Sequence, residues 1–260
     1  MATDILTTIM QHKRLEVAAQ QARIPARRLE QTIAQQPATR SMSRSLRKAR
    51  TGIIAEFKRR SPSRGWICRE AKVADIVPQY AQGGAAALSV LTDKKFFGGS
   101  LDDLRQARSL CQLPILRKDF ICTEYQLLEA RAAGADAVLL IAAVLTPAVC
   151  CRLTAQAHDL GLEVLLELHD ASEVACLEAG PDMVGVNNRH LGTFHTDVSH
   201  ALTLAGKLPE KSLKVAESGI TTAAELQHLK QAGFDGFLIA SALMDAPQPQ
   251  LQLQKLLSQP

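Results

Sequence analysis

Short apolar runs that end on a charged or amide side chain recur along this chain. Five such runs cover residues 53–58, 114–118, 164–167, 183–187 and 214–217. Each is typical of a short buried strand, and a charge at the end of a buried strand is costly unless it is paired or used. Because loop residues follow all five ends, the pattern predicts a site assembled at the carboxyl ends of parallel strands, where α/β barrels hold their active sites.

A repeat of helix, glycine and strand sets the predicted architecture. Helix-like segments end at Gly84, Gly134, Gly180 and Gly233, and each time two residues separate the glycine from a new apolar run. Glycine is the usual residue just after a helix because it enters the left-handed region without steric cost. The repeat therefore predicts short loops that lead from each helix into the next strand.

Eight predicted strands alternate with helical patterns, which cover residues 101–110, 124–133, 147–160 and 223–232 among others. This alternation predicts an α/β fold of the (β/α)8 TIM-barrel type. A doubly wound open sheet is the alternative, but no G-x-G-x-x-G follows the first strand and no P-loop sequence occurs. The predicted strand cores lie near residues 52–58, 86–91, 114–118, 137–141, 163–168, 183–187, 213–217 and 236–239.

Composition agrees with one large α/β domain. The chain has 260 residues, of which 47% are hydrophobic and only 4% aromatic. This apolar content can bury a full core, and the low aromatic content favours a parallel sheet covered by helices over an all-β sandwich. We therefore predict a single domain over residues 1–260, with an N-terminal helical extension at residues 1–47 and the barrel at residues 48–260.

The extension has its own helical pattern. Ile5 and Ile9 are apolar positions of a first predicted helix, and Pro25 is suited to begin a second. We expect its basic residues to form a solvated face rather than a binding site. These residues are Lys13, Arg14, Arg23, Arg27 and Arg28.

Net charge and cysteine content limit which kinds of partner and which cellular compartment we expect. The net charge of +4 permits an anionic small substrate, and no nucleic-acid partner is expected because no nucleic-acid motif or aromatic-studded basic stripe occurs. No signal peptide is visible, and no apolar stretch is long enough to span a membrane. We expect a cytoplasmic protein without a membrane partner, and without a Cys-x-x-Cys pair its cysteines are expected to stay reduced. They are Cys68, Cys111, Cys122, Cys150, Cys151 and Cys176.

The strand ends carry the candidate chemistry. Glu56 and Lys58 are two residues apart, so both side chains point to the barrel interior, where they can form an ion pair. A purely structural pair at the barrel rim is the alternative, and it loses weight because other strands end on polar residues too. Lys118, which the barrel would place opposite Glu167 and Glu217, is a candidate general acid.

Three loops add to the predicted site. Residues 59–65 are basic and punctuated by proline and glycine, which suits either a mobile lid over an anionic substrate or an ordinary solvated loop. The loops after the seventh and eighth strands hold small residues where barrels often bind phosphate through backbone N–H groups. These small residues are Ser218, Gly219, Ala240 and Ser241.

The recurring histidines do not predict a metal site. His190, His195 and His200 are five residues apart, so they share neither a helix face nor a strand face. Ser100 and Asp103 are instead expected to form a helix cap.

Five stretches lie at or just after the predicted first, second, third, sixth and seventh strands: residues 54–63, 89–93 with 97–100, 116–120, 185–191 with 193–194, and 216–220. In that order they are similar to the strand signatures of the indole-3-glycerol phosphate synthase family of tryptophan biosynthesis, which the chain therefore resembles. The resemblance implies a carboxy-lyase that acts on 1-(2-carboxyphenylamino)-1-deoxyribulose 5-phosphate without metal or organic cofactor. Such an enzyme closes the indole ring and then loses carbon dioxide and water.

The resemblance also implies a role for each site residue. Lys118 resembles the general acid of ring closure, and Glu167 resembles the acid/base partner of dehydration. Lys58 would interact with the substrate anion. Glu56, Asn187 and Glu217 would orient these groups or hydrogen-bond near the reacting centre. The substrate-binding residues implied are Phe97, Phe120 and Leu139 for the aromatic ring, Arg189, and Ser218, Gly219, Ala240 and Ser241 for the phosphate.

The sequence departs from the family pattern in the eighth-strand loop. Ala240 stands where the family usually has glycine, Ala242 where serine is common and Asp245 where arginine is frequent. Ala240 keeps its N–H, so phosphate binding requires only that its backbone angles suit a residue other than glycine.

Two other functions are weighed against this one. A phosphosugar isomerase of the same pathway would typically place a cysteine or aspartate at the strand ends, which here carry lysine and glutamate. A barrel that only binds a phosphometabolite would have lost part of the charged set, whose positions are all filled. We expect a monomer or weak homodimer.

Overall fold

The structure is a computed structural model that describes residues 5–189 and 195–258. Eight parallel strands form a closed barrel in the order β1-β4-β5-β6-β7-β8-β9-β10, and β10 pairs with β1. This confirms the predicted (β/α)8 TIM barrel. The barrel strands are β1 (Gly52–Phe57), β4 (Ala87–Leu91), β5 (Ile115–Lys118), β6 (Ala137–Ile141), β7 (Glu163–Leu168), β8 (Met183–Asn187), β9 (Lys214–Glu217) and β10 (Gly236–Ile239), and a separate hairpin comprises β2 (Arg60–Ser61) and β3 (Gly65–Trp66).

Helices surround the barrel, and the four predicted from the sequence agree with the observed ones to within one residue. Residues Ala171–Ala179, between β7 and β8, form 3-10 rather than α-helix, as do Ala142–Val144. The α-helices are α1 (Ile5–Arg23), α2 (Ala26–Ile33), α3 (Met42–Lys48), α4 (Val73–Gly83), α5 (Lys94–Phe97), α6 (Leu101–Leu110), α7 (Glu124–Ala133), α8 (Pro147–Asp159), α9 (Ser199–Ala205), α10 (Ala223–Gln231), α11 (Ser241–Met244) and α12 (Pro249–Ser258).

Alternation along each strand divides the apolar residues between two cores. In β1, Ile53 and Phe57 pack outward against the helices, whereas Ile54 packs inside the barrel. Glu56 shares the inward side with Ile54 because side chains two residues apart point the same way. The carboxyl ends of the strands therefore deliver their polar residues to the barrel interior, as the sequence predicts.

The predicted glycine repeat also supplies hydrogen bonds to the start of the strand that precedes the helix. All four of its glycines have positive φ. In three of the repeats an aspartate follows two residues later and accepts a hydrogen bond from the N–H of the first or second residue of the preceding strand. Asp136 bonds Ile115 N at 2.8 Å, and Asp182 bonds Val164 N at 2.8 Å. Each such aspartate fixes where two neighbouring strands begin, and so fixes the register of the barrel.

The N-terminal extension contacts both ends of the barrel. Met42 and Leu46 of α3 join the inner core at the end where the strands begin. Helix α1 lies at the other end, and Lys13 in it is only 1% exposed. The prediction that Lys13 belongs to a solvated face is therefore wrong: carboxylates from α1 and from the loops after β4 and β5 surround it. The division of the chain near residue 47 stays a prediction.

The loop after β1 forms the small β2–β3 hairpin, which is anchored at both sides. Arg59 donates two hydrogen bonds of 2.8 Å to Asp103, the residue that Ser100 caps as predicted. Arg64 forms an ion pair of 2.8 Å with Asp245, which follows α11, so the hairpin also joins the end of the short helix after β10. Its mobility stays a prediction.

The chain's one tryptophan lies on this hairpin. Trp66 is 46% exposed, and the guanidinium carbons of Arg60 and Arg69 lie 5.5 and 5.2 Å from the centroid of its ring. Its ring also lies against Gly98, where an added Cβ would come within 2.8 Å of a ring carbon. Within the residues the structure describes, no helix is both long and apolar enough to cross a membrane.

Candidate active site

A cavity opens at the carboxyl ends of the strands and gathers most of the predicted site residues. Its lining includes Glu56, Lys58, Phe97, Lys118, Phe120, Leu139, Glu167, Asn187, Arg189, Glu217 and Ser218. Three predicted residues do not line it: Gly219, Ala240 and Ser241. They follow β9 and β10, which are paired neighbours, so they lie at the same end of the barrel.

Lys118 is held between two buried carboxylates. Its Nζ lies 2.8 Å from Glu167 Oε2 and 2.5 Å from Glu217 Oε2. Lys118 ends β5, Glu217 ends β9 and Glu167 is the last residue but one of β7, so three separate strands converge on one ammonium group. Burial alone would lower the pKa of Lys118, but Glu167, Glu217 and Glu56 raise it above its ordinary value. Lys118 therefore holds a proton and points it into the cavity.

The two carboxylates beside Lys118 have opposite pKa shifts. Burial opposes ionisation of Glu167, but Lys118 and then His169 outweigh it and keep the pKa of Glu167 well below its usual range. Burial raises the pKa of Glu217 to about 8, against the pull of Lys118 and with the support of the Glu167 charge. At neutral pH these three side chains thus comprise one ammonium, one carboxylate and one carboxylic acid, a separation of pKa values that suits acid/base work.

We expect the free energy of unfolding of Glu217→Gln, minus that of the unmodified protein, to be larger at pH 8.5 than at pH 5. The folded pKa of Glu217 lies above its ordinary value of 4.5, so the folded state holds a proton there that the unfolded chain has released. The unmodified protein loses this stability as the pH rises through about 8, whereas the amide does not titrate. Urea unfolding at both pH values should show a relative gain of at least about 1.4 kcal/mol, the free energy of one pKa unit.

The exposed Glu210 provides the control for that measurement. Glu210→Gln should differ from the unmodified protein by the same free energy of unfolding at both pH values. If Glu217→Gln behaved in the same way, the raised pKa of Glu217 would be contradicted.

A second ion pair lies at the carboxyl end of β1, between Glu56 on the strand and Lys58 just after it. Lys58 Nζ is 2.9 Å from Glu56 Oε1, and the other carboxylate oxygen of Glu56 accepts a 2.9 Å hydrogen bond from Ser89 on β4. Glu56 is 2% exposed, whereas Lys58 is half-buried and lines the cavity. The predicted pair therefore exists, and it presents its cationic member to the cavity.

Glu167 has two further neighbours that hold its second oxygen. Asn187 donates a 3.1 Å hydrogen bond to Glu167 Oε1. His169 Nε2 lies 2.9 Å from the same oxygen, at ion-pair distance but without the alignment of a hydrogen bond. Burial lowers the pKa of His169, yet Glu167 raises it above its ordinary value overall. Glu167 is thus fixed on both sides, with Lys118 at one oxygen and these two side chains at the other.

One wall of the cavity is apolar. The rings of Phe97 and Phe120 are 5.8 Å apart and tilted, and Leu139 of β6 joins them. Helix α1 contributes Ile5 and Ile9 to the same cavity. We call the space bounded by Phe97, Phe120 and Leu139 the aromatic slot, since it is suited to a flat ring.

The loops predicted to bind phosphate have suitable backbones. Ser218 and Gly219 have positive φ values of 68° and 77°. Two successive residues after β9 therefore adopt the left-handed backbone conformation. Ala240 has a negative φ of −114°, so its backbone does not enter the left-handed region that favours glycine. Arg189 lines the cavity nearby and donates a hydrogen bond to Ser63 of the hairpin.

Several cavity residues were not predicted from the sequence. His169 stands two residues after Glu167, the same spacing that joined Glu56 to Lys58, so this signal was available. The hairpin residues Ser61, Pro62 and Ser63 also line the cavity, and they belong to the loop 59–65 that the sequence marked as a possible lid. No comparable signal marked the residues that α1 supplies. The unpredicted lining residues include Ile5, Leu6, Ile9, Leu91, Asp119, His169 and Leu238.

Among the described residues, no group of three or more His, Cys, Asp or Glu side chains is placed to hold a metal ion. His190 lies outside those residues, and His200 Nε2 is 2.9 Å from the carbonyl oxygen of His169. The described cysteines are all free thiols, as expected.

Comparison with known proteins identifies relatives of similar length. The family model described as indole-3-glycerol phosphate synthase matches residues 6–256. A protein of that name from Bacteroides thetaiotaomicron is 54% identical over 254 residues, which cover 98% of each chain. Another from Albidiferax ferrireducens is 45% identical over 259 residues, again 98% of each chain.

Solved structures with low sequence identity have the same fold. Thiamine phosphate pyrophosphorylase from Pyrococcus furiosus superposes with a TM-score of 0.61 at 16% identity, covering 83% of this chain and 96% of its own. The 3-hexulose-6-phosphate synthase from Salmonella typhimurium gives 0.62 at 15% identity, covering 79% and 96%. At these identities the similarity shows the fold alone.

Proposed function

Because the chain belongs to the indole-3-glycerol phosphate synthase family, we propose that it converts 1-(2-carboxyphenylamino)-1-deoxyribulose 5-phosphate to indole-3-glycerol phosphate. The reaction closes the indole ring, releases carbon dioxide and then releases water. One observation carries this proposal: Lys118, between Glu167 and Glu217, presents a proton beside the aromatic slot. Acid at a carbonyl and an apolar space for a ring are what this ring closure needs.

The substrate's two ends would occupy different parts of the site. Its aromatic ring fits the aromatic slot, and its carboxylate would lie near Lys58, the half-buried cation of β1. Its phosphate would meet backbone N–H groups after β9 and β10, and Arg189, which lines the cavity and bonds Ser63 of the hairpin, would add a positive charge. The residues proposed for the phosphate are Ser218, Gly219, Ala240 and Ser241.

Lys118 would act first. The aromatic carbon that bears the carboxylate attacks the sugar carbonyl carbon, and the carbonyl oxygen takes a proton from the Lys118 ammonium group. The carbon–carboxylate bond then breaks, carbon dioxide leaves, and its electron pair restores the aromatic ring. Glu217 would hydrogen-bond beside Lys118, where its raised pKa keeps it a proton donor at neutral pH.

Glu167 would act in the dehydration. Loss of water removes the new hydroxyl group and one hydrogen of the methylene beside the nitrogen. Glu167 is ionised in the resting site, so it can accept that proton while the hydroxyl leaves with a proton from a neighbouring acid. Asn187 holds Glu167, and Glu56 holds Lys58, so both act as positioning residues.

The direct test mixes purified protein with the carboxyphenylamino-deoxyribulose phosphate, without added metal, and follows indole fluorescence. We expect product from the unmodified protein and none from a sample without protein. A protein that is folded by circular dichroism but forms no product would contradict the proposed function and favour a barrel that only binds a phosphometabolite.

We further propose a cytoplasmic monomer or weak homodimer. Six free thiols suit a reducing compartment. The large apolar side chains that the described residues expose lie on four different elements, which does not suit an extensive interface. They are Leu15, Trp66, Leu110 and Leu251.

A further inference from the structure

We propose that Lys13 is a positioning residue for substrate binding, which sets the aromatic slot by holding together the loops that carry Phe97 and Phe120. The inference rests on the proposed function, since it concerns how the substrate's ring is held. Lys13 lies on α1, outside the barrel, and does not line the cavity.

Lys13 is a buried cation among three carboxylates. Its Nζ lies 2.8 Å from Asp93, 2.9 Å from Asp119 and 3.2 Å from Glu16. The side chains of Lys13, Asp93 and Asp119 are each at most 1% exposed. A lysine is almost never this buried unless it is paired, and removing one member of such a group leaves uncompensated charge in the interior.

Asp93 connects Lys13 to the first wall of the slot. The Oδ1 atom of Asp93 accepts a 2.7 Å hydrogen bond from Phe96 N and so caps α5, the short helix that ends at Phe97. The carbonyl oxygen of Asp93 accepts a 2.9 Å bond from Gly99 N, which closes the turn after that helix. The position of Phe97 therefore depends on the carboxylate that Lys13 holds.

Asp119 connects Lys13 to the second wall. Its Oδ1 atom accepts a 2.8 Å hydrogen bond from Phe120 N, and its Oδ2 atom accepts one of 2.6 Å from Thr92. Arg117 lies 3.0 Å from the same Oδ2 atom. Lys13 thus joins two loops whose aromatic side chains face each other, and α1 adds Ile5 and Ile9 to the same cavity.

Loss of the Lys13 charge should therefore weaken substrate binding more than turnover. Two buried aspartates would repel each other, their loops would separate, and the ring would fit a wider slot. Lys118, Glu167 and Glu217 are held by contacts that do not include Lys13, so the acid/base groups would stay in place. This distinguishes a positioning role from a merely structural one, which would lower stability alone.

The test compares Lys13→Met with Arg108→Met. Arg108 forms an equally close ion pair, 2.6 Å from Asp136, at the opposite end of the barrel where Asp136 bonds the first N–H of β5. Both variants should lose thermal stability. We expect Lys13→Met to raise KM about tenfold, the scale of a lost apolar fit, with kcat within about threefold. Arg108→Met should leave KM unchanged.

A second variant covers the case in which Lys13→Met does not fold. Asp93→Asn keeps the capping oxygen but removes one charge that faces Lys13, and we expect it to raise KM about two- to fivefold. An unchanged KM in the folded variants, an equal rise in Arg108→Met, or a fall in kcat alone would overturn the inference. Absence of turnover in the unmodified protein would instead overturn the proposed function.

Discussion

Replacing Lys118 by alanine should lower kcat by about 10²- to 10⁴-fold and leave the fold intact. Proton transfer by a positioned acid accelerates a reaction by about this factor. Among the described residues of the site, no other ammonium group lies between two carboxylates and could supply the proton for ring closure. The fold should survive because the strand hydrogen bonds of β5 do not involve the side chain, and Glu217 can keep its proton when Lys118 is removed. Single-turnover measurements should show that both carbon dioxide release and indole formation become slow.

Lys207 provides the matched control, since it is an exposed lysine in the loop after α9. Lys207→Ala should retain full activity, and the circular dichroism spectra of both variants should match that of the unmodified protein. A folded Lys118→Ala variant with near-normal kcat would show that Lys118 is not the general acid.

Replacing Glu167 by glutamine should separate the two halves of the reaction. Glutamine keeps the shape of the side chain and can still contact Asn187, but it cannot accept a proton. Because ring closure depends on Lys118, carbon dioxide should still be released in a single turnover. Indole formation should fall about 10²- to 10⁴-fold, since it needs the proton transfer of dehydration.

The control for this variant lies on the same strand. Glu163 begins β7 and accepts hydrogen bonds from Ser41 and Ser43 at the opposite end of the barrel. Glu163→Gln should release carbon dioxide and form indole at equal rates. If Glu167→Gln also kept these two rates equal, Glu167 would act in ring closure or not at all.

The periodic part of this molecule could be predicted from the sequence because it depends on local rules. Alternation placed Glu56 inside the barrel, and the glycine repeat located the beginnings of strands. The convergence of Lys118 and Glu217 followed from barrel geometry, because parallel strands bring their carboxyl ends together. These predictions needed no knowledge of which residues far apart in the chain touch.

Contacts between distant segments could not be predicted in this way. Lys13 has the spacing of a surface residue on a helix, and only the fold brings Asp93 and Asp119 around it. The position of Ile5 over the cavity depends in the same way on where α1 packs. Sequence periodicity identifies the face of a helix but not the surface that covers it.

The hairpin after β1 gives this protein a built-in optical probe. Trp66, the single tryptophan, has the guanidinium groups of Arg60 and Arg69 over its ring and lies against Gly98, one residue beyond the slot residue Phe97. Its fluorescence therefore reports on one place, at the edge of the slot. The rate at which that fluorescence shifts would show whether the hairpin moves before or after each chemical step. The product is itself an indole, so its emission must be separated from that of Trp66 before either signal can be used to measure a rate.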